Sequence, residues 1–306
     1  TKDRCILMFS RGGRDAVECR EFDLIEKDFV KNGFVVQESK AILCWRDKDT
    51  LFISTDTEGG SLSEAGYGQT VREWKRGELL RNAKVIFNFM DTKLMSYPCS
   101  DFHDGNAYFT VINFVDFYKT EIYFLYNDKW TLLKRPQDSE IYFFKNMIVF
   151  WLKSDWEKHS KDSVLACDFN EYIAGKHEFH VLYYPNSIGG LQSISKTRHY
   201  LILNKIENIS GKIEILKLEN ASWTRNNIDV LSNSSAHAFP YDAETSDSLW
   251  IVESSFIVPT TLFLYQQNEV KLEVKKSPTF FNASDLQVTQ FIATSADGTH
   301  IPYYQI

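Results

Sequence analysis

Trp45–Phe87 reads WRDKDTLFISTDTEGGSLSEAGYGQTVREWKRGELLRNAKVIF. It begins with a short strand, Thr50–Thr55, and runs into a Gly- and Ser-rich loop, Asp56–Gly68. An alternating strand follows over Gln69–Lys75, then a turn at Arg76-Gly77 and a further strand over Ala83–Phe87. β-Branched and aromatic residues recur with period two, which places Val71, Glu73 and Lys75 on one face and Arg72, Trp74 and Arg76 on the other.

This unit recurs along the chain. The strand before each polar turn appears as VECREFDL from Val17, VREWKRGE from Val71, EIYFLYND from Glu121, SVLACDFN from Ser163, KIEILKLEN from Lys212 and TTLFLYQQN from Thr260. The starts lie 54, 50, 42, 49 and 48 residues apart. Just before each copy is a more apolar run: CILMFS, TLFIST, AYFTVI, MIVFWL, YLILNK and LWIVES. These six runs are expected in equivalent places, with Cys5, Ile53, Phe109, Phe150, Leu203 and Val252 mostly buried. Polar turns such as Asn127-Asp128 and Gln267-Asn268-Glu269 lead into a further strand. Three or four strands in each such period specify an all-β propeller of four-stranded antiparallel blades. A β-sandwich does not explain the recurrence, and a β-solenoid would use shorter, more uniform coils. The first copy lacks the strand that should precede CILMFS. At the far end, VTQFIAT and HIPYYQI are predicted to pair across Ala296-Asp297-Gly298-Thr299.

Composition agrees. The 306 residues, enough for one large domain or two small ones, include 23 Phe, 15 Tyr and 7 Trp but only 7 Pro. No long segment keeps a helical period, and six tryptophans sit in or beside strands with Trp156 in a connecting segment; most are expected to pack between blades, leaving a minority for ligand stacking. A net charge of −7 with no basic run argues against nucleic-acid or anionic-membrane partners. No signal peptide and no apolar run long enough to span a bilayer is present. The chain opens at Thr1 and enters a strand at once, which reads as a piece cut from a longer protein. The five cysteines, Cys5, Cys19, Cys44, Cys99 and Cys167, are odd in number and without metal-site spacing, so they read as buried thiols of a reducing compartment. That points to the cytoplasm, with the periplasm as the alternative because an upstream leader would lie outside this sequence. The four Asn-x-Ser matches, at Asn208, Asn220, Asn233 and Asn282, read as chance.

No motif carries catalysis. Gly59-Gly60-Ser61-Leu62-Ser63 lacks the second flanking glycine of a nucleophile elbow and its following helix. His177-Glu178-Phe179-His180 is one residue short of a zinc-protease spacing and reads as a strand edge. Asp101, His103 and Asp104 read as a polar turn rather than a metal or catalytic cluster. There is no phosphate-binding glycine loop, so no cofactor is expected. Two sets of residues stand as candidates for function. Glu38 and Lys40 precede AILCW, expected to be the innermost strand of a blade and to line the channel. Gly59, Gly60, Gly66 and Gly68 relax the backbone of a loop that no apolar run anchors, a candidate moving edge.

Three segments resemble the propeller of prolyl oligopeptidase family serine peptidases: SRGGRDAVECREFDL, CWRDKDTLFISTDTEGGSLSEAGYGQTVREWKRG and QFIATSADGTHIPYYQI. The resemblance is specific over 45–77 and at the C-terminus and looser between about 90 and 240. It implies a seven-bladed propeller capping an α/β-hydrolase domain that carries the Ser, Asp and His triad. Residues 1–290 would then be propeller, and 291–306 a hairpin leading towards that absent domain. Six visible copies fit the loss of the portion before the second blade. The implied role is to restrict access to short peptides, with the C-terminal hydrolase domain as the partner and no catalytic or metal-binding residue in this stretch. A free-standing propeller that binds a protein or peptide partner is the alternative. This chain alone should therefore hydrolyse neither peptides nor esters, and stoichiometric labelling of one serine by a fluorophosphonate probe would contradict that.

Overall fold

The computed structural model describes residues 3–57, 62–89, 94–266 and 270–306. The turn Gln267-Asn268-Glu269 lies outside them. The described residues form six antiparallel sheets and one hairpin, divided between two compact units: Thr1–Phe102 with Asn106–Ser139, and His103–Gly105 with Glu140–Ile306.

In the first unit, sheet I holds β1 (Arg4–Ser10), β2 (Val17–Asp23), β3 (Asp28–Phe29) and β4 (Val35–Ser39). Sheet II holds β5 (Ile42–Asp47), β6 (Thr50–Ser54), β7 (Thr70–Lys75) and β8 (Lys84–Asn88). Sheet III holds β9 (Ser96–His103), β10 (Asn106–Phe114), β11 (Thr120–Tyr126) and β12 (Lys129–Leu132). The second unit contains sheet IV, with β13 (Glu140–Phe144), β14 (Met147–Trp151), β15 (Val164–Asp168) and β16 (His180–Tyr183), and a short helix α1 (Phe169–Ile173) after β15. Sheet V holds β17 (Gly189–Lys196), β18 (Tyr200–Glu207), β19 (Ser210–Glu219) and β20 (Ser222–Ile228). Sheet VI holds β21 (Ser235–Pro240), β22 (Leu249–Ser254), β23 (Thr261–Tyr265) and β24 (Lys271–Lys276). Sheets II to VI each pair their four strands in chain order, the up-and-down meander of a propeller blade.

The apolar runs form β1, β6, β10, β14, β18 and β22. In sheets II to VI this is the second strand, and in sheets II and V it is covered on both faces. All of β6 is buried: Leu51 and Ile53 pack with Phe34, Val36 and Cys19 of sheet I, while Phe52 meets Phe109 at 5.7 Å and Trp130 at 5.6 Å in sheet III. β18 repeats the arrangement, sending Leu201 and Leu203 to sheet IV and Ile202 to sheet VI. A strand with a partner sheet on each side does not alternate apolar with solvent-facing polar residues, so its centre reads as an apolar run. The same constraint buries both Val71 and Trp74, which point to opposite faces of β7.

Of the six residues expected to be buried, Ile53, Phe150 and Leu203 are, whereas Cys5, Phe109 and Val252 are half-buried. Cys5 lies on β1, which ends its sheet because only β2 pairs with it among the described residues. β1 and β2 thus correspond to second and third strands, as expected of a copy without its first strand. Val252 lies in the last sheet, on the face opposite the Leu249 and Ile251 cluster.

The fourth strand of sheet I is split, since β2 pairs with β3 through Phe22–Phe29 and with β4 through Cys19–Val36. The interruption is where Glu21 is held. Its buried carboxylate accepts from Phe34 N–H at 3.0 Å and from both Arg76 terminal nitrogens at 2.7 and 2.9 Å, with Arg4 at 3.3 Å. A Cβ on Gly33 would stand 2.8 Å from Glu21 Oε2, so only glycine permits this approach. Arg76 also donates to Asp49 and to the Lys48 carbonyl, joining sheets I and II. Burial alone would raise the Glu21 pKa, but the hydrogen bonds from Arg76 and Phe34 and the charges of Arg76 and Arg4 leave it below the ordinary carboxylate value.

Residues 289–306 form a separate hairpin, β25 (Thr289–Thr294) with β26 (His300–Gln305), as expected, with Thr294 opposite His300. Gly298 has φ +84°, and Asp297 accepts from Ser295 and from Thr299 N–H, bonds that hold its carboxyl down at about 2.

Two outcomes follow from this packing. Phe52→Ala should lower unfolding free energy by about 3–5 kcal/mol, against less than about 1 kcal/mol for half-buried Val252→Ala, in urea titrations. Arg76→Met should cost about 3–5 kcal/mol at pH 7 by removing the two-pronged guanidinium from a buried carboxylate that then keeps only Arg4. The lowered Glu21 pKa makes its wild-type contribution present above the unfolded carboxyl value of about 4.3 and lost as pH falls through the folded value. In the variant that pKa rises instead, so the penalty should shrink on acidification as Glu21 takes up a proton.

Candidate functional site

Each blade has two edges. One carries the loop between second and third strands and the link to the next blade. The other carries the turn between first and second strands. The residues singled out from sequence lie on the second-to-third edge of sheets I and II.

Glu38 is placed at the end of β4 rather than on the first strand of sheet II, and it pairs with Arg11 at 3.3 Å. Lys40 lies in the link between β4 and β5. Its ammonium donates to the Ala65 carbonyl at 2.8 Å, stands 3.3 Å from Asp15 and lies 4.6 Å from the centre of the Tyr67 ring. The structure therefore joins Lys40 to the glycine loop and leaves Glu38 in a separate ion pair. Beside them, Ser39 and Thr55 hydroxyls meet at 2.7 Å.

Gly59, Gly60 and Ser61 fall outside the described residues. Residues 62–68 form a compact turn: Ser63 N–H donates to the Tyr67 carbonyl and Gly66 N–H to the Ser63 carbonyl, both at 2.8 Å. Leu62 and Gly68 bridge its ends. The two described glycines act differently. Gly66 has φ +78°, the left-handed conformation that side chains resist. Gly68 is required by contact, since a Cβ there would stand 2.7 Å from Thr55 N and 2.9 Å from Thr55 O.

Sequence reasoning missed a second polar system on the first-to-second edge of the later blades. His103 is buried, accepts Lys145 N–H on Nδ1 at 2.8 Å and faces the Thr197 carbonyl with Nε2 at 3.0 Å, so its proton belongs on Nε2. Thr197 in turn donates to Asp247 at 2.8 Å, and His199 Nδ1 lies 2.6 Å from the other oxygen of that carboxylate. Burial opposes ionisation of Asp247, but the bonds from His199 and Thr197 outweigh it and lower its pKa. This is not a nucleophile set, because the hydroxyl is spent on the carboxylate rather than on the imidazole. It ties the turns after β9, β13 and β17 to the loop after β21.

His177, from the near-miss zinc pattern, bonds Glu157 at 2.8 Å and stacks on Tyr172 at 4.9 Å. Among the described residues, no three His, Cys, Asp or Glu side chains are placed to hold a metal ion. None of the five cysteines is in a disulfide; burial pushes the Cys44 thiol up to about 12 and Cys19 and Cys167 to about 11.

Sheets of four meandering strands, stacked through a doubly buried second strand, define a β-propeller. The chain belongs to the prolyl oligopeptidase N-terminal β-propeller domain family, whose profile matches residues 1–278. It is 28% identical over 321 residues to an uncharacterized peptidase of Sinorhizobium fredii, an alignment covering 100% of this chain and 44% of that protein. The structure of a post-proline cleaving enzyme from Rickettsia typhi matches with a TM-score of 0.85 at 26% identity, over 99% of this chain and 47% of that one. The β-propeller domain of the trilobed protease from Pyrococcus furiosus matches with a TM-score of 0.54 at 12% identity, over 91% of this chain and 80% of that one, a likeness of fold. The chain thus spans less than half the length of the first two relatives.

Gly68→Ala should destabilise the protein by about 1–3 kcal/mol through overpacking against Thr55. Lys40→Met should instead leave global stability near wild type while speeding proteolytic nicking between residues 56 and 68 several-fold, because it removes the tie to Ala65. Denaturation curves and timed digestion with mass mapping distinguish the two outcomes.

Proposed function

We propose that this domain is the non-catalytic cap of a prolyl oligopeptidase-like serine peptidase and restricts the active site to short peptides. The observation that carries this reading is the seating of the C-terminal hairpin. Tyr304 and Ser210 hydroxyls meet at 2.8 Å, Gln290 donates to the Asn208 carbonyl, and Asn233 donates to the Val288 carbonyl at 3.2 Å. These partners all lie at the second-to-third edge of sheets V and VI. The opposite hairpin face carries Phe291, Ile301 and Tyr303, all exposed, with Phe291 and Tyr303 rings 5.7 Å apart.

A two-stranded hairpin is marginal in water, and an apolar face on one calls for cover. The same edge of the second unit exposes Tyr184, Ile188, Ile209 and Phe256, against Tyr241 and Val270 on the other edge. An α/β-hydrolase domain of the same polypeptide, following Ile306, would supply both the cover and the Ser, Asp and His chemistry. Residues 1–290 would be the propeller and 291–306 the passage between domains. A free-standing interaction propeller would have no use for such a hairpin. The odd number of cysteines and their lack of metal-site spacing favour the cytoplasm as the compartment.

The cap would act by exclusion. It walls the catalytic cleft, sheds water from it and admits only chains thin enough to pass. Glu38 and Lys40 would face the arriving peptide, and the glycine loop would be a moving edge whose resting position Lys40 fixes. In the full polypeptide, deleting residues 58–65 should raise kcat/KM for long peptides more than for short chromogenic ones. Equal proportional changes across a length series would remove the loop from the gate.

A further inference from the structure

A cleft of about 280 Å³ runs between sheets V and VI, both in the second unit. It extends from Thr197, Tyr200 and Asp247 at the first-to-second edge to Ile228, Asp229 and the Lys271 ammonium at the other end. Its floor is Ile215 and Leu249, beside the apolar cluster that joins the two sheets. Strand register sets its length. Tyr200 stands opposite Lys217, Ile215 opposite Asn226 and Ile213 opposite Ile228. Four residues of β19 therefore separate the two ends, about 13 Å at the rise of a strand.

Charge in this gap is unbalanced. Asp247 marks one end: Oδ1 accepts from Thr197 Oγ1 and His199 N–H, while Oδ2 meets His199 Nδ1. Asp229 marks the other end, exposed, and its carboxylate has no hydrogen bond or ion pair with a described residue. Glu253 lies on the face of β22 that carries Leu249 and Ile251, and it is 1% exposed. Its Oε1 accepts from Lys271, but its Oε2 has no partner among the described residues. Lys271 is spent on Glu253 and the Asp229 carbonyl, and Lys217, opposite Tyr200, is spent on Glu219 at 2.6 Å. A buried carboxylate oxygen without a donor, near a second carboxylate without a cation, calls for positive charge that the described residues do not supply. Tyr200 and Tyr265 add aromatic wall of the kind that attracts a cation. The geometry points to a binding site for a small, elongated organic dication, an alkyl chain with an ammonium or guanidinium at each end, one on Asp247 and the other on Asp229. A hydrogen bond at each end leaves about 7 Å between the charged groups, the span of about four methylenes, which lie on Ile215 and Leu249. The bound ligand fastens the fourth strand of sheet V to sheet VI, outside the apolar cluster.

Isothermal titration calorimetry of the full polypeptide with agmatine, which carries an ammonium and a guanidinium on four methylenes, tests this. One saturable site per chain is expected. 4-Guanidinobutanoate, in which a carboxylate replaces the ammonium, should bind far more weakly. Asp229→Asn should weaken agmatine binding about tenfold or more. Asp229 is exposed and its carboxylate is unbonded, so an unchanged urea transition should accompany that loss. Hydrogen–deuterium exchange should show protection gained with agmatine in residues 226–229 and 247–249. Absence of saturable binding at millimolar agmatine, equal affinity for the zwitterion, equal affinity in the Asp229→Asn variant or protection confined to other residues would overturn the inference. None of these readouts needs peptidase activity.

Discussion

The packing within each unit depends on covering both faces of an inner blade's second strand, as at β6 and β18. A single four-stranded sheet could bury one face on a core and leave the other wet. Here β6 and β18 send alternate side chains to the preceding and following sheets, so a polar residue on either face needs a partner in place, as buried Asn204 has in the Ala238 backbone and Ser54 in the Gly68 carbonyl. Burying a leucine- or phenylalanine-sized side chain contributes about 1.5–3 kcal/mol, and each doubly covered strand contributes several. Stability in each unit thus comes from contacts between neighbouring blades more than from any one sheet. At β1 and on the outer face of β22 the side chains are half-exposed.

That constraint is also why the fold was legible in the sequence. TLFIST, MIVFWL and YLILNK stand out as unbroken apolar runs at near-constant spacing, and the hairpin at residues 289–305 could be read from its strand pattern around Asp297-Gly298. The half-burial of Cys5 and Val252 was not legible, since local pattern does not reveal how far each face of a strand is covered. The split of the fourth strand in sheet I was equally hidden. It follows from Glu21 and Arg76, fifty-five residues apart, and neither signals its partner.

The candidate site was legible in part. Lys40 and the glycine loop were picked out for separate reasons, strand position for one and composition for the other, and the structure joins them through the Ala65 carbonyl. Gly66 and Gly68 look alike in sequence, yet one serves a positive φ and the other a close backbone approach. Glu38 drew notice by its place before AILCW but belongs to the preceding sheet. The chain from His103 through Thr197 to Asp247 and His199 could not have been found, because it assembles turns from four blades and its members resemble ordinary turn residues. It ties the first-to-second edge of the later blades with side-chain bonds, while the hairpin and exposed aromatics gather on the other edge.

This asymmetry gives the capping proposal its direction: one edge is tied to itself, and the proposed second body would meet the other. Hydrogen–deuterium exchange, comparing the full polypeptide with residues 1–306 alone, tests it most directly. The account predicts that the full polypeptide gains protection in residues 184–188, 255–260 and 277–306, with no gain in the turns at 145–146 and 197–199. Protection gained at those turns instead, or at neither edge, would contradict it.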